Sequence, residues 1–266
     1  MPVLVITGTG TEVGKTVATA AVAAAALAAG RTVAVLKAAQ TGVRPDEAGD
    51  VEEVARLAGA VTKAELARFP EPLAPATAAR RAALEPVHPA GVAEAAAKLA
   101  TEHDLVLVEG AGGLLVRFDE EGGTLADAAE LLRAPVLVVA SAGLGTLNTT
   151  ELTARELRRR ELDLAGVVIG SWPDSPDHAS RCNVADLPDG AGTEALVLDG
   201  NGRVLHHAVL AHLDGTVWLD TEPPMPARGK ADGPALLDYL VKMRFWSKVE
   251  PRDATAELAV LSVVGP

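Results

Sequence analysis

Val3-Leu4-Val5-Ile6-Thr7-Gly8-Thr9-Gly10-Thr11-Glu12-Val13-Gly14-Lys15-Thr16 is the stretch on which the reading of this chain turns. Val3 to Thr7 is short, apolar and β-branched, Gly8 to Gly14 is a glycine-bearing loop, and Lys15 to Ala29 is an Ala-rich run closed by Gly30. The order predicts strand, loop and helix, the opening unit of an α/β protein. In such a unit the N–H groups of the turn and the positive end of the helix cradle phosphates. Lys15 then reaches the outer phosphate oxygens, and the Thr16 hydroxyl can hold Mg²⁺. Five residues rather than the usual four separate Gly8 from Gly14. A plain turn capped by threonine is the alternative; it accounts for the glycines but not for Gly14-Lys15-Thr16 directly after a β-branched strand.

Further apolar runs follow at Thr32 to Leu36, Leu105 to Val108, Pro135 to Ala140 and Ala165 to Ile169. Helical patterns lie between them at Asp50 to Leu57, Ala90 to Ala100, Thr124 to Leu132 and Asn148 to Arg160. Runs apolar on both faces are what a buried parallel sheet needs, so the expectation is a doubly wound parallel sheet with helices on both faces. From Ser171 to Gly192, prolines and glycines mixed with Asp and Asn read as loop. Beyond it, Ala195 to Leu198, the turn Asp199-Gly200-Asn201-Gly202, Val204 to Ala211 and Thr216 to Asp220 read as an antiparallel meander, followed by a helix at Gly233 to Met243 and a strand at Leu258 to Val264. The expected organisation is therefore a domain over residues 1–189 and an appended, incomplete α+β fragment, rich in β, over 190–266.

The 266 residues carry 24 Lys and Arg against 36 Asp and Glu, a net charge of −12 with no basic block, which argues against nucleic acid or an anionic membrane as partner. Anionic ligands must be bound locally. The single cysteine, Cys182, excludes an intramolecular disulfide or a multi-cysteine metal site and points to a cytoplasmic setting. The longest apolar run, Val17 to Ala29, is too short to span a bilayer.

Several residues then stand out as candidates. Lys37 ends the second strand at the edge where α/β proteins bind ligands, and should face the phosphate loop unless it turns to solvent. Thr41, in Gln40-Thr41-Gly42 on the same edge, suits a ligand contact or a turn equally. Glu109, directly after Leu105 to Val108, and Asp50, opening a helix, can complete a hard-cation site with Thr16. Asp50 with Glu53 also has the form of a helix capping box, so its two readings stay open. Asn148 with Glu151 has a capping form too, whereas anion binding at that helix start would explain Gly143 and Gly145 as well. His206 and His207 receive no role.

Thr7 to Thr16, Lys37 with Gln40-Thr41-Gly42, Glu71-Pro72-Leu73-Ala74-Pro75, Val108-Glu109-Gly110-Ala111-Gly112-Gly113, Leu144-Gly145-Thr146-Leu147-Asn148 and Gly170-Ser171-Trp172-Pro173 together resemble the dethiobiotin synthases. One departure is Ala38, where that family has proline. The resemblance implies a P-loop NTPase-like fold and an ATP-dependent cyclo-ligase of biotin biosynthesis that joins 7,8-diaminononanoate with CO₂. It implies Thr16, Asp50 and Glu109 as Mg²⁺ ligands, and Lys37 with Lys15 as catalytic lysines. Nucleotide contacts would come from Glu12, Val13, Gly14, Lys15, Thr16, Val17, Asp50, Glu109, Gly110, Ala111, Gly112, Gly170 and Ser171. Substrate contacts would come from Thr11, Thr41, Gly145, Thr146, Leu147 and Asn148, the last four reaching the site from the partner of a homodimer.

After residue 189 the likeness changes. Thr193 to Asp220, Tyr239 to Phe245 and Val249 to Asp253 resemble a piece of the folate-binding, aminomethyltransferase-like family without its cysteine motif, so the chain reads as a nearly complete synthase joined to a fragment. Two other functions compete with ring closure. A nucleotide switch of the partitioning type would need a further lysine early in the loop, and positions 9–13 hold none. A folate-binding accessory role would rest on the C-terminal segment alone.

Overall fold

In the computed structural model, residues 2–173 and 176–187 are described, together with the backbone of three strands between 193 and 220. In chain order the elements are β1 (Val3–Gly8), α1 (Lys15–Ala28), β2 (Val33–Lys37), β3 (Gln40–Thr41), α2 (Asp50–Ala58), β4 (Thr62–Glu65), β5 (Arg68–Phe69), α3 (Pro75–Ala82) and α4 (Pro89–Leu99). They continue with β6 (Leu105–Gly113), α5 (Leu125–Leu132), β7 (Val136–Ser141), α6 (Thr146–Arg159), β8 (Leu164–Ser171), α7 (His178–Asp186), β9 (Thr193–Leu198), β10 (Val204–Leu213) and β11 (Thr216–Asp220).

Six strands form one sheet in the order β4-β2-β6-β1-β7-β8, every pair parallel. Alternation along each strand sends side chains to two cores. On β6, Leu105 and Leu107 face one core and Val106 and Val108 the other; on β7, Leu137 and Val139 oppose Val136, Val138 and Ala140. The first core is closed by Ala18, Ala20 and Ala23 of α1 and Val51 and Val54 of α2. The second is closed by Val92 and Ala96 of α4, Leu125, Ala129 and Leu132 of α5, and Leu157 of α6. Alanine at so many contact positions lets helices sit close to the sheet, which fills the space that a chain with 3% aromatic residues cannot fill with rings. The architecture is the doubly wound, two-faced sheet that the apolar runs foretold.

β9, β10 and β11 form a separate antiparallel sheet, in agreement with the expected meander. The expected helix at Gly233 to Met243 and strand at Leu258 to Val264 lie outside the described residues.

One local expectation is corrected, and two elements appear where none was expected. The stretch from Ser171 to Gly192 is not all loop: it contains α7, capped by Asp177 Oδ1, which accepts the Ser180 N–H at 2.7 Å. β4, Thr-Lys-Ala-Glu, is an edge strand and so needs no apolar run. α3 follows a proline-rich turn, with Pro75 itself at the first helical position, where its missing N–H costs nothing. Among the described residues no helix is long and apolar enough to cross a membrane.

Candidate active site

Parallel register sets Lys37, the last residue of β2, beside Glu109 of β6, at the edge where α1 and α2 begin. Lys37 Nζ donates to Glu109 Oε1 at 2.8 Å and to the Gly110 carbonyl at 3.0 Å, and pairs with the Asp50 carboxylate at the start of α2. Glu109 is 1% exposed. It also accepts from Thr16 Oγ1 at 3.2 Å and from Thr19 Oγ1 at 2.6 Å. Two carboxylates are thus gathered about one buried ammonium, and two hydroxyls about the Glu109 carboxylate.

The electrostatics follow from that clustering. Burial alone would push the Lys37 ammonium down, but the adjoining charges of Glu109 and Asp50 overcome it and hold Lys37 above its ordinary value. Burial likewise acts to raise Asp50, and Lys37 reverses it, holding the carboxyl below its ordinary range. Lys15 moves the other way: burial and then repulsion from Lys37 press it below its ordinary value, against the attraction of Glu109 and Asp50. The two lysines repel one another in a site that an anion would relieve.

The loop before α1 supplies a place for that anion. α1 has Gly14 as its N-cap, with no side-chain cap and no acid in its first turn, so its leading N–H groups are left for a ligand. Gly14 has φ 94°, a left-handed value that suits glycine. A Cβ on Gly14 would also collide with the Gly170 carbonyl, and one on Gly170 with the Val13 carbonyl, so the loop lies directly on the end of β8. Lys15 Nζ meanwhile donates to the Gly10 carbonyl at 3.1 Å across the loop. Gly170→Ala is expected to lift the loop off β8, destabilising the protein by about 1–3 kcal/mol as an overpacked contact and weakening nucleotide binding. Thermal melting and an ATP titration check it.

A cleft of about 1240 Å³ runs over this loop. It brings together Thr11, Glu12, Gly14, Lys15, Thr16, Val17, Lys37, Thr41, Asp50, Ala111, Gly112, Gly170 and Ser171 of the anticipated residues. Val13 instead packs into the α1-side core, and Glu109 sits beneath the cleft floor, touching it through Thr16 and Lys37. Gly110 contributes only its carbonyl, to Lys37.

Both capping expectations shift. α2 is capped at Gly49, whose N–H is accepted by Glu52 Oε2 at 2.9 Å, so Asp50 is the first helical residue and its carboxylate turns to Lys37 rather than to its own helix. α6 begins at Thr146 after Gly145, φ 92°, which puts Asn148 inside the helix and exposed. Gly145 to Asn148 do not line the cleft; Leu147 and Asn148 border a separate depression with Glu151, Leu152, Arg155 and Asp186. Leu144, beside them, is 85% exposed.

Thr19 and Gln40 were not assigned from sequence. Thr19 has a legible signal, a hydroxyl one turn after Thr16 inside an otherwise apolar Ala run. The cleft also takes in Glu53, Arg56 and the segments Pro72 to Pro75 and Trp172-Pro173.

A bare helix start on a parallel sheet, a lysine folded across it, and carboxylates waiting on the neighbouring strand end define a P-loop nucleotide-using enzyme. A family model described as an AAA domain matches residues 3–209. The ATP-dependent dethiobiotin synthetase BioD of Streptomyces avermitilis is 76% identical over 219 residues, covering 82% of this chain and 92% of that protein. The enzyme of the same name from Streptomyces coelicolor is 80% identical over 196 residues, 74% of this chain and 82% of the relative. Among solved structures, the septum site-determining protein MinD complexed with Mg-ADP from Pyrococcus horikoshii is 17% identical with a TM-score of 0.47, covering 73% of this chain and 80% of that one. The chain belongs to the ATP-dependent dethiobiotin synthetase family.

Proposed function

We propose that the protein closes the ureido ring of dethiobiotin from 7,8-diaminononanoate and CO₂ at the expense of ATP. One amine adds to CO₂ and loses a proton, giving a carbamate. A carbamate oxygen attacks the γ-phosphorus in line, the bond to the bridging oxygen breaks, and ADP leaves. The second amine then attacks the carbonyl carbon of the carbamate–phosphate anhydride, expelling phosphate and closing the ring. No protein nucleophile takes part, so the protein's work is positioning and charge neutralisation.

The observation that carries this reading is the Lys37 cluster at the floor of a cleft large enough for nucleotide and a second substrate. Lys15 would leave the Gly10 carbonyl for the phosphate oxygens, and Lys37, held protonated by two carboxylates, would offset charge where carbamate and γ-phosphoryl meet. Thr16, Asp50 and Glu109 are a hard oxygen set of the kind Mg²⁺ takes. No group of three or more His, Cys, Asp or Glu is brought together among the described residues, so water and phosphate oxygens would complete the shell. When bound, that ion would neutralise phosphate charge.

Apart from Val13, Glu109 and Gly110, the nucleotide contacts assigned above, and Thr11 and Thr41 toward the substrate, fit their places in the cleft. Gly145 to Asn148 suit a different role: an open helix start away from their own cleft and next to exposed Leu144 would receive the substrate carboxylate of a partner's site in a homodimer. All assigned residues precede 172, so we place the chemistry in residues 1–189 and the setting in the cytoplasm, and read 190–266 as appended although the family match runs on to residue 209. The test is phosphate release by the purified chain, with sedimentation to set its oligomeric state. Release that requires both diaminononanoate and CO₂ supports the reading; release indifferent to diaminononanoate would instead favour an ATPase switch.

A further inference from the structure

α2 has no N-cap side chain to accept its first helical N–H groups. Its N-cap is Gly49, which has no room for one: a Cβ there would sit 2.8 Å from Arg68 Nη2 and 2.9 Å from Gln40 Oε1. The missing acceptor comes from ten residues upstream. Gln40 Oε1 accepts the Asp50 N–H at 2.8 Å, and Gln40 is only 4% exposed. An orphan helical N–H is thereby satisfied at the residue whose carboxylate meets Lys37.

The placement of Gln40 is itself built. β3 and β5 form a two-stranded parallel sheet in which Gln40 is the register partner of Arg68. Arg68 is clamped bidentately to Glu65, at 2.7 and 2.8 Å, and its Nη1 donates to the carbonyls of Arg44 and Glu47, tying down the loop that leads into Gly49. Glu65 is in turn the register partner of Lys37 in the main sheet. The start of α2 is therefore fixed to the same strand edge that carries Lys37.

We propose that Gln40, seated by the β3–β5 strand pairing, is a positioning residue: it holds the Asp50 backbone so that the Asp50 carboxylate is aimed at Lys37 and at the divalent cation of the nucleotide complex. This rests on the reading of Asp50 as a ligand of that cation. Outer partners that orient metal ligands typically change metal affinity by about 10–100-fold when removed.

The experiment is calorimetric titration of the full chain with a non-hydrolysable ATP analogue, with and without Mg²⁺, alongside thermal melting. The quantity read is the ratio of the two affinities. Gln40→Met keeps the shape and removes the acceptor; its ratio is expected to fall about tenfold, with metal-free affinity and melting close to wild type. Gln40→Glu restores an acceptor and should lie nearer wild type than Gln40→Met. A wild-type ratio in Gln40→Met, while Asp50→Ala loses the Mg²⁺ effect, overturns the inference alone. A wild-type ratio in Asp50→Ala overturns the ligand assignment beneath it, and the inference with it. Should Gln40→Met fail to fold, Gln40→Ala, which also removes the acceptor, is read by the same two criteria.

Discussion

Lys15→Ala is expected to lower kcat by about 10³-fold, the upper range for removing one preorganised donor from a developing charge. The residue is 8% exposed and stands at the start of α1, where the helix offers N–H groups but no neutralising side-chain charge. Without its ammonium, negative charge building on the transferring phosphoryl group would face Lys37 alone, which is already shared between Glu109 and Asp50. Stability should move in the opposite sense. Burial and the nearness of Lys37 both disfavour the charged form of Lys15, so removing it relieves repulsion and the melting temperature should hold or rise. Loss of turnover with retained or increased stability marks a residue kept for chemistry. Turnover within tenfold of wild type would remove Lys15 from the account.

Glu109→Ala should do the reverse to stability. The carboxylate accepts from Lys37, Thr16 and Thr19 in a site with almost no access to water, and truncation leaves the Lys37 ammonium with Asp50 and one carbonyl. Breaking a buried pair by removing one partner costs about 3–5 kcal/mol, and the persistence of Asp50 places this case near 3. At about 2–4 °C per kcal/mol for a domain of this size, the melting temperature should fall by about 6–12 °C. Turnover should be lost as well. A melting temperature within about 2 °C of wild type, less than 1 kcal/mol at that scaling, would mean that the ion pair is not structurally coupled to the sheet.

The parts of this molecule legible in sequence are those where burial dictates residue type. β1, β2, β6 and β7 are covered on both faces along their middles, and β8 is buried at Val167 and Val168, so these stretches must be apolar and announce themselves. Gly14-Lys15-Thr16 is readable because the phosphate cradle proposed here needs that order after a strand. β4 was not, since an edge strand tolerates Thr62, Lys63 and Glu65. The function of Asp50 was ambiguous because capping is a local pattern whereas its partner, Lys37, comes from another element; only the three-dimensional position of Gly49 settled which residue caps α2. Asn148 failed for a related reason: a left-handed Gly145 starts α6 three residues earlier than the Asn-Glu spacing suggested. Gln40 stood in a segment that carried the resemblance, but its role was not legible, because what it recognises is a backbone N–H, and any residue can supply one.

The central claim, that a carbamate oxygen and not water attacks ATP, is tested most directly by following that oxygen. Turnover with C¹⁸O₂ in unlabelled water, started faster than CO₂ exchanges its oxygen, should release phosphate carrying one ¹⁸O atom for each dethiobiotin formed, because the C–O bond breaks when the second amine closes the ring. Phosphate free of label from CO₂, with label instead entering from H₂¹⁸O in the converse experiment, would show hydrolysis and contradict the assignment of this cleft to ring closure.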